Sequence, residues 1–177
     1  MENEELNQDE SEFNEYALEE WCEENHYPRE LIEAAQDVCG PKATIEELID
    51  WLEDGNYTVL HADGGSDSDL GMAYVDMLGS LTEVSNKERY FDEQQYKNDL
   101  EAEYSSDQKD GESDEEYEER MESEIEAILD EDMYMVENGN APEDLLERYF
   151  DYDQFGYDLR IGDGFYHYGN GIWIATY

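Results

Sequence analysis

The chain has 177 residues, of which 52 are acidic and 9 basic, for a formal charge of −43 at pH 7. Duplex DNA carries one charge per roughly 1.7 Å of axis, so this total equals that of about 20 base pairs. Such a surface excludes direct binding of nucleic acid or of an anionic membrane, and it attracts basic proteins over long range at low salt.

Leu, Ile, Val and Phe make up 32 of the 177 residues, about 18%. Combined with high charge, so small a share points towards disorder. The 15 Tyr, 3 Trp and 6 Met argue the other way, because they add core-forming surface that acidic tails lack. The reading is a folded protein with a thin, Tyr-rich core. Two cysteines and the lack of an apolar run near eighteen residues predict reduced thiols, no membrane span and a cytoplasmic location.

In chain order, residues 1–11 are polar and read as a loose acidic tail. Phe13, Tyr16, Ala17 and Trp21 follow helical spacing and predict an amphipathic helix over 12–24. Pro28 suits a helix start, and Leu31, Ala35 and Val38 carry a stripe to Gly40. Thr44 and Glu47 form a capping box for a third helix with Ile45, Leu48, Ile49 and Leu52, stopped by Gly55. Tyr57 to Ala62 reads as a short strand and 63–69 as a loop. Residues 70–81 are the most apolar stretch and predict a buried helix.

Residues 88–100 and 147–159 are two copies of one motif, offset by 59, with eight of thirteen positions identical. Its shared core is Arg89-Tyr90-Phe91-Asp92 and Arg148-Tyr149-Phe150-Asp151. Asp92 and Asp151 are expected to cap helices, with Gln95 and Gln154 reaching back to them. Arg89 and Arg148 are expected to be buried or half-buried against carboxylates.

Between the copies, 105–114 reads as a linker. Ser113 and Glu116 then form a capping box for a helix whose stripe is Tyr117, Met121, Ile125, Ile128 and Leu129. Acids cover the rest of it: Asp114, Glu115, Glu116, Glu118, Glu119, Glu122, Glu124, Glu126, Asp130, Glu131 and Asp132. Like charges three or four apart each cost a few tenths of a kcal/mol. A helix that accepts so many of them has another use for them, and these acids are the candidate partner-binding surface. After Leu159, Phe165 to Tyr168 and Ile172 to Tyr177 flank Asn170-Gly171, a strong hairpin signal, expected to pack on the 152–160 helix.

The predicted class is α+β, mostly helical and elongated, with small α/β units and a C-terminal β-hairpin. The units expected after the tail are 12–62, 63–111 with the first copy, and 112–177 with the acidic helix, the second copy and the hairpin.

No phosphate loop or nucleophile elbow occurs, and carboxylate pairs are expected by chance among so many acids, so no enzyme activity and no cofactor are predicted. Cys22, His26 and Cys39 lack a fourth ligand or a paired Cys-x-x-Cys, and no metal site is assigned. Asp67, Asp69 and Gly71 resemble the start of a calcium loop, but Leu78 stands where its bidentate Glu would be. His61 and His167 read as structural.

The stretch from Pro142 through Glu147-Arg148-Tyr149-Phe150-Asp151-Tyr152-Asp153-Gln154-Phe155 to Asp158-Leu159, with the Gly-rich hairpin that follows, resembles the ArdA family of antirestriction proteins. The strong match covers about 35 residues, and a weaker one extends through Ala73-Tyr74, Gly79 and the first motif copy. The resemblance implies a DNA mimic, elongated and often dimeric, whose carboxylates stand in for phosphates in the DNA groove of type I restriction-modification enzymes. At the front the chain departs from the family, with a helical stretch in place of the usual sheet unit. On this reading the partners are basic DNA-binding proteins and a second copy of the chain. The alternatives are an inhibitor of another DNA-binding defence protein, an acidic chaperone of basic proteins, and a halophilic enzyme.

Crowded carboxylates disfavour one another's charge, so raised pKa values are expected. A raised folded-state pKa favours folding below the unfolded value, and that benefit is lost as pH rises. Melting should therefore be higher at mildly acidic pH than at pH 7–8. At neutral pH, added salt should raise the melting temperature by screening self-repulsion; a melting curve indifferent to salt would refute a dense acidic surface.

Overall fold

The computed structural model describes residues 17–105 and 108–177. Helix α1 occupies 17–24, α2 is Arg29–Cys39 and α3 is Ile45–Asp54. The expected tail at 1–11, and Phe13 and Tyr16 of the first predicted helix, lie outside the described residues. In α1 the fully buried side chains are Leu18 and Cys22, while Trp21 is half-buried and stacks on Tyr27. Burial pushes the Cys22 thiol up to about 11, so it stays protonated. The Thr44 and Glu47 capping box forms as read, with the Thr44 amide donating to Glu47 Oε2 at 2.8 Å.

Strand β1 is Tyr57–His61, and α4 is Asp67–Leu78. Helix α4 starts inside the segment read as a loop, because Ser66 and Asp69 make a second capping box there. Leu70, Ala73 and Val75 are buried, whereas Met72 and Met77 lie half in solvent. Two short 3₁₀ turns, Leu81–Glu83 and Lys87–Tyr90, lead to α5, Glu93–Tyr104. Helix α6 is Asp114–Glu137, α7 is Glu143–Tyr149 and α8 is Tyr152–Asp158, extended by a wider π turn over Leu159–Asp163. Strands β2, Tyr166–His167, and β3, Ile172–Thr176, complete the chain.

The class is α+β and mostly helical, with a three-stranded antiparallel sheet in the order β1-β3-β2. The hairpin forms at the predicted residues. The Ile172 amide donates to the Gly169 carbonyl at 2.8 Å across Asn170 and Gly171, both at positive φ, as a type I′ turn requires. Sequence gave no sign that β3 also pairs with β1, from Tyr57 opposite Thr176 to His61 opposite Ile172. This pairing places β3 at the centre of the sheet, with Ile172, Trp173, Ile174 and Ala175 all buried. Ile172 and Ile174 face the core of α1, α2 and α3, while Trp173 and Ala175 face the core of the remaining helices. Helix α4 lies against both β1 and α8, so it takes the place beside the sheet expected for the 152–160 helix. Expected boundaries at 62/63 and 111/112 do not separate the packing, since one core runs from Leu60 to Ala175.

The two motif copies meet face to face. Phe91 and Phe150 form an isolated antiparallel bridge. The Asp92 amide donates to the Tyr149 carbonyl at 2.7 Å, and the Asp151 amide donates to the Tyr90 carbonyl at 2.7 Å. Tyr149 hydroxyl donates to Asp99 at 3.0 Å, and Tyr90 hydroxyl donates to Asp158 at 3.1 Å. Arg148 pairs with Asp99 at 2.9 Å, and Arg89 with Asp158 at 3.6 Å. Each contact recurs with the copies exchanged, which is the signature of a local twofold axis.

Asp92 and Asp151 cap α5 and α8 as read, accepting from the amides of Gln95 and Gln154. The glutamines do not reach back. Each donates one turn forward, Gln95 to Asp99 at 3.0 Å and Gln154 to Asp158 at 2.9 Å. Arg89 and Arg148 are tied to carboxylates but not buried, with side chains 64% and 67% exposed. Their charge stays in water while the guanidinium lies over the ring of the next residue.

Outside the motif the halves differ. Helices α4 and α8 cross at Gly71 and Gly156, where an added Cβ on Gly156 would meet the Asp67 carbonyl oxygen. Arg160 clamps the same junction, donating to both Asp67 carboxylate oxygens at 2.7 and 3.2 Å.

Asp99 and Asp158 each gather an arginine, a tyrosine hydroxyl and a glutamine amide, so removing either leaves the hydroxyl of a buried tyrosine without its acceptor and releases an exposed arginine and glutamine to water. Asp99→Ala and Asp158→Ala should each lower unfolding free energy by about 1–3 kcal/mol. Asp110→Ala in the linker should stay within ~0.5 kcal/mol. Urea unfolding checks this, and equal effects at all three positions would deny the clasp its role.

Candidate functional site: an acidic helix

Helix α6 begins where Ser113 accepts from the Glu116 amide and Glu116 Oε2 accepts from the Ser113 amide at 3.0 Å. Ile125, Leu129 and Val136 are buried, Tyr117, Met121 and Ile128 are half-buried, and Tyr117 hydroxyl donates to the Tyr104 carbonyl at 2.7 Å. This stripe seats the helix on α5 and leaves its other side to solvent.

All the acids singled out on this helix are exposed except Asp132. Asp132 is half-buried and accepts a hydrogen bond from Tyr96 hydroxyl, so it belongs to the packing of α5 against α6. Burial, then that bond, drive the Tyr96 hydroxyl well above the ordinary tyrosine range, and it stays a donor. Glu116 is engaged in the cap, Asp114 accepts from Gln108 at 3.0 Å, and Glu124 lies 3.3 Å from Arg120. Glu115, Glu118, Glu119, Glu122, Glu126, Asp130 and Glu131 have no hydrogen-bond or ion-pair partner among the described residues. The first six fall within about 120° of one helix face at 100° per residue.

Arg120 is the helix's one cation. It points back to the linker and grips both Glu112 oxygens, at 2.8 and 3.0 Å. Its side chain is only 21% exposed, so it braces the helix start without diluting the open face. Hydrogen bonds from Arg120, then the Lys109 amide, bring the Glu112 carboxyl down to about 2. The Ser113 amide and hydroxyl hold Glu116 below the ordinary carboxylate range. Hydrogen bonding also lowers Asp69, mainly through Ser66, and Glu30, mainly through Asn170. At these four carboxyls hydrogen bonds outweigh crowding, the reverse of the rise expected from sequence.

Among the described residues no three of His, Cys, Asp and Glu form a metal-holding group, Cys22 is buried and Cys39 exposed. No helix among them is long and apolar enough to cross a membrane. The motif residues Arg89 to Asp92 and Arg148 to Asp151 lie apart from this face, in the clasp between the copies. Sequence reasoning missed Glu112 and Arg120 as the brace; their spacing of eight across a linker carried no recognisable signal. Known protein families, curated proteins and solved structures were compared with the chain, and none matches it.

The lowered Glu112 and Glu116 stabilise the folded helix start above the ordinary carboxyl value of 4.5 and lose that effect as pH falls through their folded values. The turn at 112–116 should fray between about pH 4.5 and pH 2, seen as loss of protection at the Glu116 amide. Glu112→Gln should fray it already at neutral pH. An amide equally protected at pH 2 and pH 6 would contradict the brace.

Proposed function

We propose that this chain is a DNA mimic that blocks a DNA-binding enzyme by occupying its groove, with type I restriction-modification enzymes as the target class. One observation carries the reading. Helix α6 has 24 residues, about 36 Å of axis, close to one turn of duplex. Its twelve acids against one arginine leave one net charge per ~3.3 Å, the linear density of a single DNA strand at 3.4 Å per phosphate. A rigid helix holds those charges at fixed spacing, which a disordered acidic tail does not.

The resemblance of 142–177 to the ArdA family supports the same reading and names the target class. Inhibition is by occupancy, not by catalysis, inside the cell where restriction acts, and the resemblance adds a homodimer, which sedimentation would check. The acidic chaperone alternative would engage basic proteins of any shape with similar affinity.

The test is cleavage of a plasmid by a type I enzyme with increasing amounts of this protein, and retention of the enzyme on DNA in parallel. Inhibition should appear, be reversed by excess duplex, and weaken steeply as salt rises. Single acid-to-amide changes on α6 should alter inhibition less than about threefold, because exposed charges act as a field. Replacing Glu115, Glu118, Glu119, Glu122, Glu126 and Asp130 together should weaken it about tenfold or more. Cleavage untouched by excess protein would remove the restriction target. One single substitution that abolished inhibition without unfolding the chain would replace the charged surface with a discrete active site.

A further inference from the structure

Strand β1 is one edge of the sheet, paired with β3 on one side and with no strand among the described residues on the other. The Ala62 amide donates to the Gly171 carbonyl at 2.8 Å, and the Tyr177 amide donates to the Asn56 carbonyl at 2.9 Å. With Tyr57 opposite Thr176 and His61 opposite Ile172, these bonds fix the phase of the ladder. Even-numbered residues of β1 turn their backbone groups towards β3, and Tyr57, Val59 and His61 turn theirs away. The amides and carbonyls of these three have no hydrogen-bond partner among the described residues. At the other edge β2 is two residues long, and of these His167 points its backbone groups outward.

Natural edges are blunted by charge, proline, a bulge or shortness. Strand β2 is short. Strand β1 has none of these devices. It reads Tyr-Thr-Val-Leu-His and pairs one to one with β3. The run 55–62 carries no charge, in a chain with 52 acidic and 9 basic residues, and β2 and β3 carry none either. The edge is also held firmly. Trp51 stacks on Tyr57 at 5.0 Å, and the Tyr57 hydroxyl donates to the Leu52 carbonyl at 3.0 Å. On the opposite face the hydroxyls of Thr58 and Tyr177 lie 3.0 Å apart.

We propose that β1 pairs with β1 of a second copy of this chain, antiparallel about a twofold axis at Val59, so that the two sheets become one. In this register Val59 faces the partner's Val59, and Tyr57 faces the partner's His61. The free amides and carbonyls of each strand then answer those of the other in phase. The side-chain pairs are β-branched on β-branched and aromatic on imidazole, beside the packing that Tyr57 and Val59 already make. Within the strands no like charges are opposed, which few surfaces of so acidic a chain allow. Asp54 and Asp63 bound the run and approach their counterparts across the axis. The contact is therefore weak in low salt and tightens as salt screens them, whereas a basic strand from another protein would show the reverse dependence. The pairing rests on the strand's own groups and not on the groove-occupying reading, and it gives the homodimer of that reading a defined surface.

Sedimentation of the full chain should show a reversible dimer by about 1 mM protein, and the dimer should strengthen at least about threefold between about 0.05 M and about 0.5 M salt. Hydrogen exchange should mark the interface. The amides of Tyr57, Val59 and His61 should gain protection as protein concentration rises, while those of Thr58 and Leu60, which donate to β3, should not change. Proline is tolerated on an edge where the amide faces out. His61→Pro should keep the fold, checked by its far-ultraviolet spectrum, and weaken the dimer at least about twentyfold. His61→Ala, which keeps the amide, should weaken it less than about fivefold. If the proline variant fails to fold, the exchange pattern of the unchanged chain decides.

A chain monomeric at every salt and concentration would overturn the proposal, as would a dimer that salt weakens or one that leaves the three amides unprotected. The peptide acetyl-Lys-Thr-Val-Thr-Val-Lys-amide, if it protected these amides in a chain that stays monomeric, would assign the edge to a basic partner and overturn the pairing of copies. Failure of the two readings is separable. A chain that stays monomeric yet blocks a type I enzyme would remove the strand pairing and leave the mimic. A chain that dimerises through β1 and blocks nothing would do the reverse.

Discussion

The exchange of backbone and side-chain contacts between Tyr90-Phe91-Asp92 and Tyr149-Phe150-Asp151 is the constraint on which the rest of the structure depends. Two amide-to-carbonyl bonds of 2.7 Å join the copies, and four aromatic rings close over them. Because the Asp92 and Asp151 amides donate those bonds and the same residues cap helices, the bridge also sets where α5 and α8 start. Everything that follows is placed from there. Helix α5 receives α6, and α8 receives α4, so each motif copy carries the helix that precedes the other.

That arrangement answers how so acidic a chain folds with so few large aliphatic residues. Aromatic pairs supply buried area and geometry together, roughly 0.5–1.5 kcal/mol each beyond burial. The scarce cations are placed where they fix elements to one another. Arg89 and Arg148 cross between the copies, Arg160 ties α8 to the start of α4, and Arg120 ties α6 to its own linker. Each lies near a tyrosine ring. None is set among the unpartnered acids along the open face of α6, so self-repulsion there is tolerated rather than neutralised. The fold resists it with the buried stripe of Ile125, Leu129 and Val136.

The two halves share a motif without being equal. One closes on a glycine pair, Gly71 and Gly156, where α4 and α8 touch backbone to backbone. The positions 59 residues away are Asp130 and Lys97, and there α6 stands on α5 through side chains such as Tyr96 and Asp132. Helix α6 runs to 24 residues, twice the length of α4, and presents its far side to solvent. An equivalent scaffold thus serves a tightly packed junction in one half and an exposed charged helix in the other.

What the sequence determined by itself was local. Capping boxes at Thr44 and Ser113, aspartate caps at Asp92 and Asp151, the Asn170-Gly171 turn and the stripe of α6 all depend on bonds spanning three or four residues, and they form where read. So does the charge pattern of α6 except at Asp132, because helical periodicity sets which face most of its acids share. Only the tertiary structure decided that β1 pairs with β3, with His61 and Ile172 brought together across more than half the chain. It alone decided that Arg89 answers Asp158 and Arg148 answers Asp99, and that Asp132 turns inward to Tyr96. The reason is physical: a repeat announces two like units, but the same residues could satisfy contacts within each copy or between them. Closing a long loop costs little more than closing a shorter one. The choice falls to which arrangement leaves no polar group stranded, and that depends on shapes no single stretch contains.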